Sequence, residues 1–509
     1  MSSHPHQNLD APSRAPRAGV RQWLGLATLV LPVLLISIDM TVLSFAVPHL
    51  SEALAPSGEQ LLWIVDIYGF MLAGLLVTMG SLGDRIGRRR LLLIGAAAFG
   101  VASAAAALSP SPEVLIAARA ALGLAGATLM PSTLSLIRHL FPDARQRTVA
   151  IAVWGSAFSA GAALGPIVGA VLLEHFYWGS VFLINVPVVV LLLVTMPLLV
   201  GESRTPTPGR LDPLSVLLSL VGMITAVFGL KKLAEGEVGA LPIAALVVGV
   251  GLVTLFVRRQ KRLTDPLIDL ELFAVPRFRA GVMGNFLLVF AMVGSLFFLS
   301  QLLQLGYGMR PLHASLVLVP GLIISVVASF IVIPIARRTS LRTAIVGGML
   351  INAAGFLVLA TVPTADGAVV ALCAFTLLGL GSGLAETMTN DAILTAAPPD
   401  RAGAASAISE TAYELGGALG VAVLGSVLSA GYTAHLDHDA ALDGSVPEAA
   451  TQTLGGAVSA AEQMGGTAGD ALLAAARAAF VDGVHLTSAI AAVFVLAAAL
   501  LVGAQLRRR

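Results

Sequence analysis

Six acidic side chains lie inside apolar runs of this 509-residue chain: Asp39, Asp66, Glu386, Asp391, Glu410 and Glu414. An acid facing lipid at the centre of a membrane helix costs roughly 2.5–3.5 kcal/mol, so six of them demand a water-lined cleft. Asp391 lies near the end of its run, where a solvated helix terminus accounts for it. Glu410 and Glu414 are one helical turn apart and point the same way. Two such acids in a low dielectric repel when both are charged, so one of them holds a proton, and a site of that kind can exchange a proton for a cation. Interhelical hydrogen bonding is the plainer use of the same pair. Arg119 is the one basic residue inside a run. Its guanidinium needs a partner, for which Asp39 and Asp66 are the candidates. The aromatic residues near the acids, Tyr68, Trp154, Phe158 and Tyr413, could hold lipophilic cations by cation–π contact. Packing is the alternative for them, and a membrane-interface role suits Trp63 and Trp178 near run ends.

The elements that must position these groups are membrane helices. With 57% hydrophobic and 12% charged residues and a mean hydropathy of +0.90, the chain is an all-α polytopic membrane protein. A net charge of +1 argues against a nucleic-acid partner. The single cysteine, Cys373, excludes an intrachain disulfide. Apolar stretches of spanning length predict fourteen transmembrane spans, at 22–48, 61–80, 91–108, 113–137, 148–173, 179–200, 213–231, 240–258, 279–305, 314–336, 342–361, 368–396, 403–430 and 481–505. With the N-terminus cytoplasmic, 25 of the 30 Lys and Arg fall on the inner side. Both termini are then cytoplasmic, which requires an even number of spans. The polar, Pro-rich first residues read as a tail, not a cleaved signal peptide.

The chain repeats itself at a separation of about 256 residues. Leu122-Gly123-Leu124 recurs as Leu378-Gly379-Leu380, Pro142-Asp143 as Pro399-Asp400, and Gly161–Gly165 as Gly416–Gly420. Spans 4–5 thus match spans 12–13 in the same orientation, the parallel repeat of two-halved transporters with a site between the halves. The acids break the symmetry: Glu410 and Glu414 correspond to Gly155 and Ser159, and Arg119 corresponds to Phe375. The expected organisation is a tail at 1–21, an N-terminal six-helix bundle at 22–200, a linker carrying two inserted spans at 201–278, a C-terminal six-helix bundle at 279–505, and a tail at 506–509. The long segment 431–480 is expected outside the membrane, either without fixed structure or as short helices near 447–464 and 468–482.

Several motifs carry a family resemblance. Gly80-x-Leu82-x-Asp84-Arg85-x-Gly87-Arg88-Arg89 resembles the loop between spans 2 and 3 of the major facilitator superfamily. Leu115-x3-Arg119-x3-Gly123 is similar to its span 4 motif, although Leu122 stands where glutamine is usual. Gly161-x3-Gly165-Pro166-x2-Gly169 resembles the antiporter motif of span 5, with Ala170 in place of a final glycine. Asp39–Pro48 resembles the span 1 motif of fourteen-span exporters, with Ser44 where asparagine is common. Leu62–Tyr68, Trp178–Pro187 and Glu410–Glu414 make the chain similar to the quaternary-ammonium and dye exporters of the fourteen-span drug:proton antiporters.

The resemblance implies a major facilitator fold in the cell membrane and proton-driven export of small cationic drugs by alternating access. It assigns Asp39, Asp66, Arg119, Glu386, Glu410 and Glu414 to the proton and substrate site. Gly80, Asp84, Arg85, Gly87 and Arg88 form the cytoplasmic gating loop, expected to latch against the other half. The chain lacks a Gly-Lys-Ser/Thr phosphate loop, so its energy comes from the proton gradient without a cofactor. His435-x2-His438 reads as a polar outer loop, and no metal is expected. A monomer is expected, not an enzyme. A dedicated exporter of one metabolite or antibiotic is the competing expectation on the same fold.

Overall fold

In a bilayer every backbone polar group must be satisfied within the chain, so the long Leu, Val and Ala runs can settle only as helices. The computed structural model is helical, with no strand among the described residues. Those are residues 18–54, 56, 58–203, 212–234, 239–264, 266–268, 270–398, 401–436, 450–451 and 454–507. The side chains of Asp66, Ser159 and Pro166 lie outside the description, as do residues 399–400, on which one repeat match falls. Six helices come first: α1 Val20–Leu54, α2 Gly58–Ile86, α3 Arg88–Ala107, α4 Pro112–Leu140, α5 Ala144–His175 and α6 Asn185–Leu199, the last preceded by the single turn Ser180–Leu183. An inserted pair follows, α7 Pro213–Ala234 and α8 Ala240–Gln260. Then come α9 Pro276–Gln301, α10 Pro311–Arg338, α11 Leu341–Leu359, α12 Ala368–Ala396, α13 Ala402–Leu436, α14 Leu454–Met464 and α15 Gly466–Gln505.

Twelve stretches among the described residues are long and apolar enough to cross a membrane. Counting the two arms of α2, bent by 54° between Leu76 and Thr78, as one span gives thirteen. The count of fourteen expected from the sequence adds α5, which is 32 residues long. Local signals set the helix starts: Ser111 and Ser340 cap α4 and α11, and the Asp143 carboxylate accepts from the Arg145 and Gln146 amides at the start of α5.

The two largest apolar cores are built from side chains between Leu26 and Val200 and from side chains between Ala280 and Val502. Ala152 and Leu394 are the exceptions, each packing in the core of the other bundle. The repeat has a direct spatial meaning. A Cβ on Gly123 of α4 would lie 2.4 Å from the Tyr68 carbonyl oxygen of α2, and one on Gly379 of α12 would lie 2.0 Å from the Gly321 oxygen of α10. Likewise Gly161 seats α5 on Ser37 of α1, and Gly416 and Gly420 seat α13 on the Phe286 and Phe290 carbonyls of α9. The repeated glycines are therefore the close helix crossings of the two bundles. Gly165 and Gly169 are buried on the same helix as Gly161.

The inserted helix α7 packs against α8, α2 and α13. Trp63 of α2 stacks on Phe228 of α7 at 6.0 Å, so this tryptophan anchors the insertion to α2. At the start of α7, Arg259 and Ser215 donate to Asp212, which holds that carboxyl well below the usual carboxylate range.

The outer segment corrects one expectation. A separate helix at 468–482 does not form; those residues are the outer half of α15, a 40-residue helix continuous with the last span. Leu472, Ala476, Ala479 and Phe480 are buried against the C-terminal core, which rewards continuing the helix past the membrane. Arg477 also donates to the Leu305 carbonyl in the π-helical turn Leu302–Gly306 that ends α9.

Close crossing at the repeat glycines predicts a sharp contrast between two substitutions. Gly379→Val should overpack the α10–α12 crossing by about 1–3 kcal/mol or more. Gly347→Ala, which meets nothing within 4 Å, should leave stability unchanged or slightly raised. Thermal unfolding of the detergent-purified proteins measures both.

Candidate functional site

The N-terminal bundle is organised around one buried ion pair. The Arg119 Nη1 donates to Asp39 Oδ2 at 2.7 Å, with the two side chains 2% and 0% exposed. Asp39, one of the two candidates expected from the sequence, is thus a partner of Arg119; the other candidate, the Asp66 side chain, lies outside the description. Further groups complete the shell: Arg119 Nε donates to the Ile64 carbonyl at 3.1 Å, and its guanidinium carbon lies 4.6 Å from the centre of the Tyr68 ring. The other carboxylate oxygen of Asp39 accepts from Asn185 Nδ2 at 3.2 Å; Asn185 also donates to Ser103, and Ser103 donates to the Phe182 carbonyl. Asn185 and Ser103 were missed as site residues, although Asn185 stands in the quoted Trp178–Pro187 motif. In the C-terminal bundle the position of Arg119 is taken by Phe375, fully buried against Gly321. Apolar packing there does what the ion pair does here.

The C-terminal bundle supplies acids without a base. Glu410 is 3% exposed, Glu386 and Glu414 are half-buried, and Glu410 lies within electrostatic reach of both others. None of the three side chains has a hydrogen-bond or ion-pair partner among the described residues. Beside Glu410, Ser409 accepts from Asn285 at 3.2 Å and donates to Asn390 at 2.8 Å, a polar brace joining α9, α12 and α13.

The two sets meet because α13 packs against α2 and α4. Tyr413 of α13 lies 5.1 Å from Phe158 of α5, which in turn lies 5.8 Å from Trp154. These aromatics form one run across the junction. The Trp154 indole donates to Thr133 at 3.1 Å, so its polar edge is already satisfied. The Tyr68 hydroxyl is buried without a hydrogen-bond partner among the described residues, a state that costs about 1–3 kcal/mol for a polar group.

The loop that joins α2 to α3 is tied to its own bundle. Asp84 pairs with Arg88 at 2.6 Å, and Arg88 donates to the Ser203 hydroxyl at 3.1 Å. Gly87, at φ +108°, leaves room for the Glu202 carboxylate, which accepts from the Arg89 and Arg90 amides at the start of α3. Gly80 is buried, and Arg85 closes the last turn of α2.

Asp391 requires a correction: it is not a solvated terminus. Its side chain is 14% exposed and lies 3.9 Å from Arg147 of the N-terminal bundle and 3.8 Å from Arg277 of the C-terminal one. Arg138 at the end of α4 also donates to the Leu394 carbonyl of α12. Sequence position alone hid this role, because Arg147 and Arg277 lie 244 and 114 residues before Asp391 in the chain.

The ion pair sets a test of structural against transport roles. Asp39→Asn removes the carboxylate charge that faces the buried Arg119 guanidinium and should lower stability by up to roughly 3–5 kcal/mol. Adding Arg119→Gln to it should restore most of that stability while transport stays lost, as judged by thermal unfolding and dye efflux together.

Residues 29–421 match the Major Facilitator Superfamily. The chain is 48% identical over 492 residues to the multidrug efflux pump LfrA of Mycolicibacterium smegmatis, covering 97% of this chain and 98% of that one. It is 38% identical over 465 residues to the methyl viologen resistance protein SmvA of Salmonella typhimurium, with 91% and 93% covered. Over 433 residues it is 33% identical to the tetracenomycin C resistance and export protein of Streptomyces glaucescens, with 84% and 80% covered. The crystal structure of the human organic anion transporter MFSD10 superposes with a TM-score of 0.61 at 16% identity, over 94% of this chain and 99% of that one, a likeness of fold. With the repeated bundles, the junction between them and these matches, the chain belongs to the Major Facilitator Superfamily, a family of transporters and not of enzymes.

Proposed function

We propose that the protein is a proton-driven multidrug exporter of lipophilic cations, working by alternating access in the cell membrane with both termini cytoplasmic. The observation that carries this reading is the unbalanced trio Glu386, Glu410 and Glu414 beside the Phe158–Tyr413 contact. Unpaired carboxylates in a low dielectric are occupied either by protons or by an organic cation, and competition between the two is the coupling. Asp39, already held by Arg119 and Asn185, acts as a second protonation site whose state governs the N-terminal bundle. Tyr413 and Phe158 offer aromatic faces to the cation. The 48% identity to a multidrug efflux pump and the 38% identity to a methyl viologen resistance protein support cationic substrates. The relative named for tetracenomycin C export keeps a dedicated exporter of one compound as the second reading.

The cytoplasmic contacts of Asp391 and Arg138 supply the inner closure of such a cycle. Asp391→Asn should weaken that closure, reducing export several-fold with dye affinity changed much less.

The deciding experiment is dye efflux from proteoliposomes with an imposed pH gradient. Ethidium export should follow the gradient and collapse with a protonophore; gradient-independent export would overturn the reading. Glu410→Gln and Glu414→Gln should each impair a divalent cation such as methyl viologen more than ethidium, because one carboxylate remains. Transport of a single compound from a broad panel of cations would favour the dedicated exporter.

A further inference from the structure

Asn285, Ser409 and Asn390 form the polar brace beside Glu410, and all three side chains are buried. Three helices meet there at close range. A Cβ on Gly284 of α9 would lie 2.8 Å from the Thr389 methyl carbon of α12, and one on Gly416 of α13 would lie 2.6 Å from the Phe286 carbonyl oxygen of α9. Between these crossings Asn285 Nδ2 donates to the Ser409 carbonyl at 3.1 Å and to the Ser409 hydroxyl at 3.2 Å. Asn285 Oδ1 is buried with no hydrogen-bond partner among the described residues, so the amide is committed to Ser409. In a helix that carbonyl also takes the amide of the residue four positions on, here Tyr413. Asn285 therefore grips the turn that carries both Glu410 and Tyr413. The Ser409 hydroxyl passes the link on, donating to Asn390 Oδ1 of α12 at 2.8 Å. The next residue of α12 is Asp391, whose carboxylate lies 3.9 Å from Arg147 and 3.8 Å from Arg277. Two consecutive residues of α12 thus touch the glutamate-bearing turn and the arginines of the junction.

We propose that Ser409 and Asn390 are positioning residues whose hydrogen bond couples the occupancy of the glutamates to the ion pairs of Asp391. The proposal rests on the reading given above, in which the glutamates exchange protons for an organic cation. A cation takes more room beside Glu410 and Tyr413 than a proton does, so the 409–413 turn shifts when the occupant changes. Asn390 follows that shift, because breaking a buried hydrogen bond would leave both of its groups unsatisfied. Asp391, one residue on along the same backbone, then moves against its arginines. Its pairs are long and lack directional bonds, so a small displacement is enough to change them. Neither Ser409 nor Asn390 needs to touch the substrate for this.

The test uses the full chain with its one cysteine replaced, Cys373→Ser, and spin labels on Ala144→Cys and Ala274→Cys. Both label positions are exposed and lie three residues before Arg147 and Arg277. In proteoliposomes methyl viologen should shift the distance between the labels in this parent background. Ser409→Ala should bind methyl viologen with a dissociation constant within about two-fold of the parent. It should nevertheless lose the shift, and about five-fold in proton-driven export, the effect of one hydrogen bond of ordinary strength. Asn390→Ala removes the same bond from the other side and should match it, with the double variant no worse than either single one. Ser409→Thr keeps a hydroxyl and should restore both shift and export. A parent without a shift, a shift retained in Ser409→Ala, binding lost along with the shift, or full additivity in the double variant would each overturn the proposal. Export by the parent protein that ignores a protonophore would instead overturn the proton-driven reading, so the two failures are distinguishable.

Discussion

The buried pair between Asp39 and Arg119 is the constraint around which the N-terminal bundle is built. Two charges removed from water inside a bilayer carry a desolvation penalty of several kcal/mol per ion, and only close geometry with further hydrogen bonds offsets it. The shell meets that requirement from almost every helix of the bundle: the Ile64 carbonyl and Tyr68 ring from α2, Ser103 from α3, Asn185 from α6. Each of these contacts fixes a helix relative to the pair. The C-terminal bundle, with Phe375 at the equivalent position, has no such ion pair at its centre among the described residues.

That asymmetry divides the labour between two bundles of common architecture. One carries a neutralised pair, and the other carries three acids with no base among the described residues. A paired acid changes protonation only with a structural consequence, whereas an unpaired acid is free to exchange its occupant. The two sets lie on helices that pack together, α13 against α2 and α4. At one end of the junction Asp391 sits between arginines of both bundles at 3.8–3.9 Å, beyond hydrogen-bonding distance. Ion pairs of that length hold through Coulomb attraction without directional bonds, and they can be broken and reformed at small cost.

Much of this was legible in the residues. Apolar run length fixed the helices, arginine placement fixed the orientation expected for them, and the repeated glycines marked the crossings between α2 and α4 and between α10 and α12. Glycine at a crossing is readable because only the smallest side chain lets two backbones come that close. The acids were readable because their burial is expensive. The partner of Arg119 was narrowed to two candidates, and helical geometry alone could not choose between helices α1 and α2.

What the sequence determined by itself is therefore whatever depends on cost along one chain: which segments span, which residues are too polar to face lipid, and which positions must be small. Tertiary structure decided every pairing between distant segments. Asp39 and Arg119 are brought together by the packing of α1 against α4, Asp391 meets Arg147 and Arg277 across the junction, and residues 468–482 join the last helix because the C-terminal core covers their apolar side. The reason is physical. Hydropathy and helix propensity are properties of a segment, whereas a charge pair is a property of the relative position of two segments, which only the packing of the bundles specifies.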